Sequence, residues 1–156
     1  MSVHTHIGDA IHDAIAAEPR CGLVRYGGTS VSPDGAPRRV YIELGASLPV
    51  NVLTQCTDWV TDVHISVQAT AVPGVHRSPQ HAADDLGTLV RRLLVLRPDN
   101  PLTERLRALD AIGYHADNGV ATYAEGAIAR DIHPGASPVG VETFSVRVVH
   151  RIAWAT

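Results

Sequence analysis

TDWVTDVHISVQATA at residues 57–71 and HAADDLGTLVRRLLV at residues 81–95 are the two stretches that decide the fold of this chain. In the first stretch apolar and polar residues alternate, which is the period of a β-strand with one covered side. In the second, apolar residues recur at i, i+3, i+4, i+7 and i+8, the stripe of an amphipathic helix. Together they predict a long, half-buried strand that packs against one helix.

The two faces of the predicted strand differ in character. One face carries Trp59, Thr61, Val63, Ile65, Val67 and Ala69, and the other carries Asp58, Asp62, His64, Ser66 and Gln68. The stripe of the helix consists of Leu86, Leu89, Val90, Leu93 and Leu94. We therefore expect the aliphatic face of the strand to lie under this stripe.

Breaker residues divide the rest of the chain into further elements. We predict a first helix over residues 6–18, with Thr5 as its N-cap and Pro19 as its stop. Short strands follow at residues 21–26 and 38–44. A Gly/Pro-rich loop is predicted at 27–37, and an edge or irregular segment with Pro49 at 46–54. Further helices are predicted to start at Ser78-Pro79 and at Asn100-Pro101. The C-terminal part of the chain has a turn signal at Asp117-Asn118-Gly119, strand-like residues at 120–132, a loop at 133–140 and a late strand at 141–153.

This element order predicts an α+β fold. We expect a mostly antiparallel sheet packed against the N-terminal helix and one long amphipathic helix, because short Gly/Pro turns join neighbouring strands. The 156 residues are enough for one domain with a substantial core, so residues 1–156 are expected to form a single domain.

Composition narrows the classes of function. The chain is 45% hydrophobic and 19% charged, with a formal net charge of −3. A general nucleic-acid binder normally has a basic excess, so this balance argues against one. Cys21 and Cys56 lie far apart without metal-ligand spacing, and we expect free thiols of a reducing compartment. No signal peptide or membrane span is predicted, so the chain is expected to be soluble and cytoplasmic when made.

No motif indicates catalysis. The nine histidines raise a metal hypothesis, with His4, His6 and His12, or His81 with Asp84 and Asp85, as candidate sets. A zinc site needs three or four converging ligands, and no HExxH or paired CxxC spacing supplies them. GxSxG and GxGxxG are also missing, and the Gly27-Gly28 loop lacks the lysine of a phosphate-binding loop. We expect no catalytic residue, no cofactor and no metal.

Two arginine pairs are candidates for charged surfaces. Arg91-Arg92 is predicted on the solvent side of the amphipathic helix, and Arg38-Arg39 opens a strand. Solvated faces explain both pairs. A small basic patch that meets nucleic acid or an acidic partner stays open as an alternative.

The chain resembles the tail terminator (tail completion) proteins of long-tailed phages and of phage-derived gene transfer particles. The resemblance is carried by the N-terminal helix IGDAIHDAIAA, the Gly/Pro-interrupted early strands, TDVHISVQATA with the helix HAADDLGTLVRRLL, and the terminal strand TFSVRVVHRIA. It rests on element order and residue character and spans most of the chain. Residues 97–140 match poorly and are a candidate insertion.

The resemblance implies a structural virion protein at the head-proximal end of the tail, present in the host cytoplasm during assembly. It implies a hexameric ring that caps the tail tube, docks to the head–tail connector (stopper) protein, and lets DNA pass through its lumen without sequence-specific binding. A ring needs side surfaces that are not self-complementary by twofold symmetry. Loop and strand-end residues are the candidates for these contacts with copies or partners: Gly27, Gly28, Asp34, Arg38, Arg39, His76, Arg77 and His133.

Three alternatives stay open. One is another connector or neck protein. The second is a small-molecule-binding regulatory α/β domain, in which Asp62, His64, Ser66 and Gln68 would supply the polar groups of a pocket. The third is a metal-dependent hydrolase that uses the histidines.

Overall fold

Helices cover one face of a single antiparallel-rich sheet in the computed structural model, which describes residues 3–27, 36–96, 99–109, 114–123 and 128–153. The helices are α1 (Val3–Ala16), α2 (Pro79–Leu94) and α3 (Pro101–Ala108), and a 3₁₀ turn spans Pro19–Cys21. The strands are β1 (Leu23–Tyr26), β2 (Arg38–Val52), β3 (Cys56–Thr70), β4 (Tyr114–Tyr123), β5 (Ala129–His133) and β6 (Val139–Ala153). The α+β class and the mostly antiparallel sheet are confirmed.

The sheet is organised around β3 and β6, which pair along their whole length. The strand order is β1-β2-β3-β6-β4, and only β1 and β2 are parallel. Since β3 occupies one edge of β6 throughout, β4 and β5 lie one after the other along the opposite edge. The described sheet therefore ends at β1 on one side and at β4 and β5 on the other.

The core lies between the helices and one face of the sheet. Val63, Ile65 and Val67 of β3 and Leu86 and Val90 of α2 belong to one buried cluster, which α1 and α3 complete. The predicted packing of the aliphatic strand face under the leucine stripe is confirmed. Each of these aliphatic side chains contributes roughly 1.5–3 kcal/mol when it is fully buried, so this layer dominates stability.

Side-chain caps start α2 and α3 where the sequence predicts them. The Ser78 hydroxyl accepts a hydrogen bond from the His81 backbone N–H at 3.1 Å, with Pro79 as the first helical residue. The side-chain amide oxygen Oδ1 of Asn100 accepts a hydrogen bond from the Thr103 backbone N–H at 2.8 Å. Both caps satisfy backbone donors that have no partner within the helix.

Three local predictions differ from the structure. Helix α1 begins at Val3, so Thr5 lies inside the helix and is not its N-cap. The predicted turn at Asp117-Asn118-Gly119 lies within β4, where the pairing with β6 shifts register between Ala116 and Ala121. Pairing with β6 overrides the local turn preference and absorbs the extra residues as an irregularity. The strand-like stretch at 120–132 is divided between β4 and β5.

The segment at 46–54, predicted as an edge or irregular segment, is largely an edge strand with a register shift between Pro49 and Asn51. Strand β2 continues through Pro49 to Val52. Strand β1 pairs only with Arg39 to Ile42, so β2 is an edge strand at Pro49, where a missing backbone N–H is tolerated.

Among the described helices, none is long and apolar enough to cross a membrane.

Candidate interaction surfaces

Strands β2 and β3 form a two-stranded ribbon, and its upper half, around the turn that joins the two strands, is an unusual surface of the protein. Val40 and Ile42 at the start of β2 are fully buried, whereas the second half of the strand is exposed from Leu48 onward. Four large apolar side chains are at least 41% exposed there: Leu48, Val50, Val52 and Leu53. A register shift between Pro49 and Asn51 places Leu48 and Val52 on opposite faces of the ribbon, so apolar side chains are exposed on both faces. Exposed apolar groups this close together often mark an interaction site. We call residues 44–57 the bare hairpin.

The bare hairpin is also uncharged. Residues 44–57 contain no Asp, Glu, Lys, Arg or His. Exposed strand edges in natural proteins normally carry charges, which oppose unwanted association. An exposed apolar ribbon without them is therefore suited to a partner with a complementary apolar surface.

A backbone bulge separates the bare hairpin from the covered part of the ribbon. The β2–β3 register shifts between Leu44 and Ser47. A Cβ at Gly45 would lie 2.6 Å from the His64 ring nitrogen Nε2, so the close approach at the bulge favours glycine here. Bulges bend a strand and increase its local twist.

The face of the sheet opposite the helices carries a ladder of charged pairs. Arg151 donates to Asp58 at 2.6 Å, and Arg147 donates to Asp62 at 2.9 Å, each directly across the β3–β6 pair. The hydrogen bond from Arg151 is the largest cause that lowers the pKa of Asp58 below its ordinary value. These pairs fix the register of the two long strands.

The same ladder uses most of the polar groups that could have lined a ligand pocket. His64 Nδ1 lies 2.6 Å from the Ser145 hydroxyl. Ser66 and Gln68 are buried, and the Gln68 amide donates to Ser66 at 3.3 Å. Asp62, His64, Ser66 and Gln68 thus make cross-strand or local bonds within the described part of the chain.

A buried ion pair fixes α2 to the sheet. The Arg91 guanidinium lies 2.5 Å from the Glu142 carboxylate of β6, and both side chains are almost fully buried. Arg130 of β5 lies 3.4 Å from the second Glu142 oxygen and 3.5 Å from Asp84. Burial is the largest cause that raises the pKa of Glu142, and the hydrogen bond from Arg91 opposes it. The prediction that Arg91 faces solvent is wrong, whereas Arg92 is exposed.

Two histidines brace the loop before α2. The Val72 N–H donates to His76 Nδ1 at 3.0 Å, and the Arg77 N–H donates to His81 Nδ1 at 2.9 Å. Because Nδ1 accepts in both rings, Nε2 carries the proton in the neutral form, and each Nε2 faces Asp85. The arrangement orders the loop, and within the described residues no group of three or more His, Cys, Asp or Glu could hold a metal ion.

A cavity of about 230 Å³ lies at the end of the ribbon opposite the bare hairpin. It is lined by Pro19, Arg20, Gly22, Ala36, Pro37, Arg38, Thr70 and Val72. The Arg20 side chain donates to Glu18 at 2.8 Å, and Arg38 donates to the Arg20 carbonyl at 2.9 Å. The guanidinium groups of Arg20 and Arg38, which both line the cavity, thus already donate hydrogen bonds to neighbouring residues.

The predicted contact residues have different locations. Gly28 and Asp34 lie outside the described residues. Gly27, Arg77 and His133 are exposed, and Arg38 is half-buried beside the cavity.

The side chains of two other predicted contact residues, Arg39 and His76, are buried. Arg39 is only 2% exposed, so its expected solvated face is wrong and a partner cannot reach it in this conformation. The His76 side chain is only 3% exposed, because its ring packs inside the loop. The described residues of the predicted set thus range from buried Arg39 to exposed Gly27, Arg77 and His133. Sequence reasoning missed the bare hairpin, although its lack of charge was a readable signal.

Comparison with family models and with the sequences of curated proteins yielded no match. No family model matches the chain, and no curated protein is significantly similar to it in sequence.

Proposed function

We propose that this chain is a structural assembly protein at the head–tail joint of a long-tailed phage or related particle. In this proposal copies form a ring, hexameric in the family that the chain resembles, which caps the tail tube and joins it to the head connector. The chain is not an enzyme and takes no cofactor. Its place is the head-proximal end of the tail.

The bare hairpin is the observation that carries the proposal. It presents an uncharged ribbon with large exposed apolar side chains at the end of the paired strands β2 and β3. Such a surface needs a lasting partner, because its exposure to water is unfavourable and invites aggregation. A tail tube offers an annular end on which several copies could dock their hairpins at once. We assign the hairpin to the contact with the tube.

The long pairing of β3 with β6 supports an assembly role. Strands β3 and β6 pair along their whole length and are joined by the Asp58–Arg151 and Asp62–Arg147 ion pairs. A docking element on such a long two-stranded platform loses little conformational freedom on binding, which favours affinity. The net charge of −3 also suits a protein whose ring surrounds moving DNA, because a basic lumen would retain the phosphates.

Removal of the chain from its particle tests the proposal. We expect electron micrographs of particles made without it to show detached heads and tails of uncontrolled length, because nothing stops tube growth. Supplying the wild-type chain should restore normal joined particles. Joined particles of normal length in the absence of the chain would contradict the proposal.

A small-molecule-binding regulatory domain is the second candidate, supported by the cavity beside Arg38. None of the polar residues expected to line a pocket takes part in that cavity, which weakens this alternative. A thermal-shift screen with small carboxylates and phosphates distinguishes the two functions. A ligand that stabilises the chain and loses its effect in Arg38→Ala would favour the regulatory domain.

A further inference from the structure

Strands β1 and β5, on opposite edges of the sheet, lie level with each other along the strand direction. The pairing register connects Leu23 of β1 through Arg39, Gln68 and Val141 to Asp131 of β5 in one continuous row. The neighbouring rows connect the other residues of β1 and β5 in the same way. In the described sheet, β1 pairs only with β2 and β5 pairs only with β6, so each strand has an edge without a strand partner.

The directions of these strands suit a contact between copies. Strand β1 is parallel to β2, and each of the following steps, from β2 to β3, β6 and β5, is antiparallel. Strand β5 therefore runs opposite to β1. If two copies are placed side by side with the same face outward, β1 of one copy meets β5 of the next as an antiparallel pair.

The side chains on the two edges are complementary in charge. Arg25 of β1 and Asp131 of β5 are both exposed, and their register places both on the face opposite the helices. Neither forms an ion pair with any residue in the described part of the chain. The row of Arg25 ends at Ala129, so Arg25 lies opposite Asp131 when the next copy is shifted by two residues along the strand direction. The adjacent pairs are then Val24 with Ile132 and Tyr26 with Arg130. Both of these pairs are on the helix-covered side.

The charges also discriminate against contacts between like edges. Pairing β1 with itself about a twofold axis brings two Arg25 side chains onto one face, and pairing β5 with itself does the same for Asp131. Like charges across strands destabilise a pair, whereas opposite charges stabilise it. Charged residues at strand edges commonly prevent association, but here the two edges carry opposite signs.

We propose that the β1 edge of one copy pairs with the β5 edge of the next, with Arg25 opposite Asp131. The contact is head-to-tail, so each copy uses two different edges, and repetition closes into a ring when the rotation allows it. This edge pairing is the contact between copies that the proposed ring requires, so its role in a ring rests on the proposed function. The bare hairpin stays free for a different partner.

Charge exchange between the two edges tests the contact. Native mass spectrometry of the full chain should show an oligomer for the wild type. We expect Arg25→Asp and Asp131→Arg each to weaken association by about tenfold or more, because each places like charges opposite one another. The double variant should regain most of the association. Arg92→Asp, on the exposed side of α2, is the matched control and should leave it unchanged.

A disulfide trap gives a second, independent readout. Residues 25 and 131 lie on strands separated by four inter-strand steps of about 4.8 Å, too far for a disulfide within one copy. In a Cys56→Ser background, Arg25→Cys with Asp131→Cys should therefore give a ladder of cross-linked copies on oxidation. Either cysteine alone should give at most a dimer.

The outcomes separate this contact from the proposed function. An oligomer that neither single reversal weakens, or that the double variant fails to restore, overturns the edge contact and leaves tail capping to its own test. A wild-type monomer at every concentration with no cross-linked ladder overturns it as well. A ladder from a chain whose removal leaves normal particles would support the contact and contradict the head–tail role.

Discussion

The two halves of the β2–β3 ribbon differ in how they are covered. In the lower half, Val40 and Ile42 pair with Val67 and Ile65 and are sealed under the helices. In the upper half, the same strands carry Leu48 and other aliphatic side chains into solvent. Both halves contain aliphatic residues, so coverage by the helices decides which of these residues form the core. The lower half stabilises the fold, and the upper half is available for a partner.

The largest expected effect comes from the ion pair under α2. Arg91→Met keeps much of the side-chain volume but leaves the buried Glu142 carboxylate without its guanidinium partner. We expect a loss of about 3–5 kcal/mol in the free energy of unfolding at neutral pH, measured by urea denaturation. Arg92→Met, at the exposed neighbouring position, should change it by less than about 0.5 kcal/mol.

The pH dependence of that loss has a definite sign. Burial already raises the pKa of Glu142, so the folded state binds this proton more tightly than the unfolded state. The stability from this group is present below the ordinary glutamate pKa and is lost as pH rises through the raised pKa. Removing Arg91 raises that pKa further, so Arg91→Met should be less damaging at pH 5 than at pH 8. An equal loss at both values would contradict the assignment.

A pair of aliphatic truncations compares the two halves directly. Ile42→Ala removes a fully buried side chain and should cost about 2–5 kcal/mol of unfolding free energy. Val52→Ala removes one that is 69% exposed and should cost less than about 0.5 kcal/mol. Similar losses in the two variants, by the same denaturation measurement, would mean that the upper half also belongs to the folding core.

A smaller effect is expected where α2 begins. A Cβ added at Gly140 of β6 would collide with the Pro79 carbonyl group, whereas one at Gly135 would meet nothing within 4 Å. Gly140→Ala should therefore destabilise the protein by about 1–3 kcal/mol through overpacking. Gly135→Ala is the control and should be nearly neutral. A neutral Gly140→Ala would show that the helix end lies farther from the sheet.

The smallest effect concerns the thiols. Cys21 is fully buried, and burial raises its pKa to about 11, whereas Cys56 is only half-buried. At pH 8 we expect a thiol reagent to label Cys56 in the native protein and to reach Cys21 only on unfolding, because the thiolate is the reactive form. Peptide mapping after labelling identifies the site. Faster labelling of Cys21 would contradict its place in the core.

Sequence patterns predicted the covered half well. Strand β3 and helix α2 follow their alternation and stripe because both are buried on one side by the same core. The caps at Ser78 and Asn100 were readable because capping is local chemistry. Propensity failed where distant partners decide the outcome, as at Asp117-Asn118-Gly119 inside β4.

Candidate contact residues were harder to predict than the fold. Arg91 was expected in solvent, because its partner Glu142 is 51 positions away and only the tertiary structure brings them together. Arg39 was also expected to be exposed, and its sequence position at the start of a strand does not show that the folded chain buries it. Most of the bare hairpin was predicted as an edge or irregular segment, and its sequence alone does not show which half of the β2–β3 pair the helices cover.

Binding of a hairpin variant to tail tubes is the most direct test of the division between core and docking surface. Leu48→Ser, Val50→Ser and Val52→Ser together change only exposed apolar side chains. The triple variant should keep the wild-type unfolding midpoint within about 0.5 M urea and lose detectable cosedimentation with purified tubes. Wild-type binding by this folded variant would contradict the assignment of the hairpin to the tube.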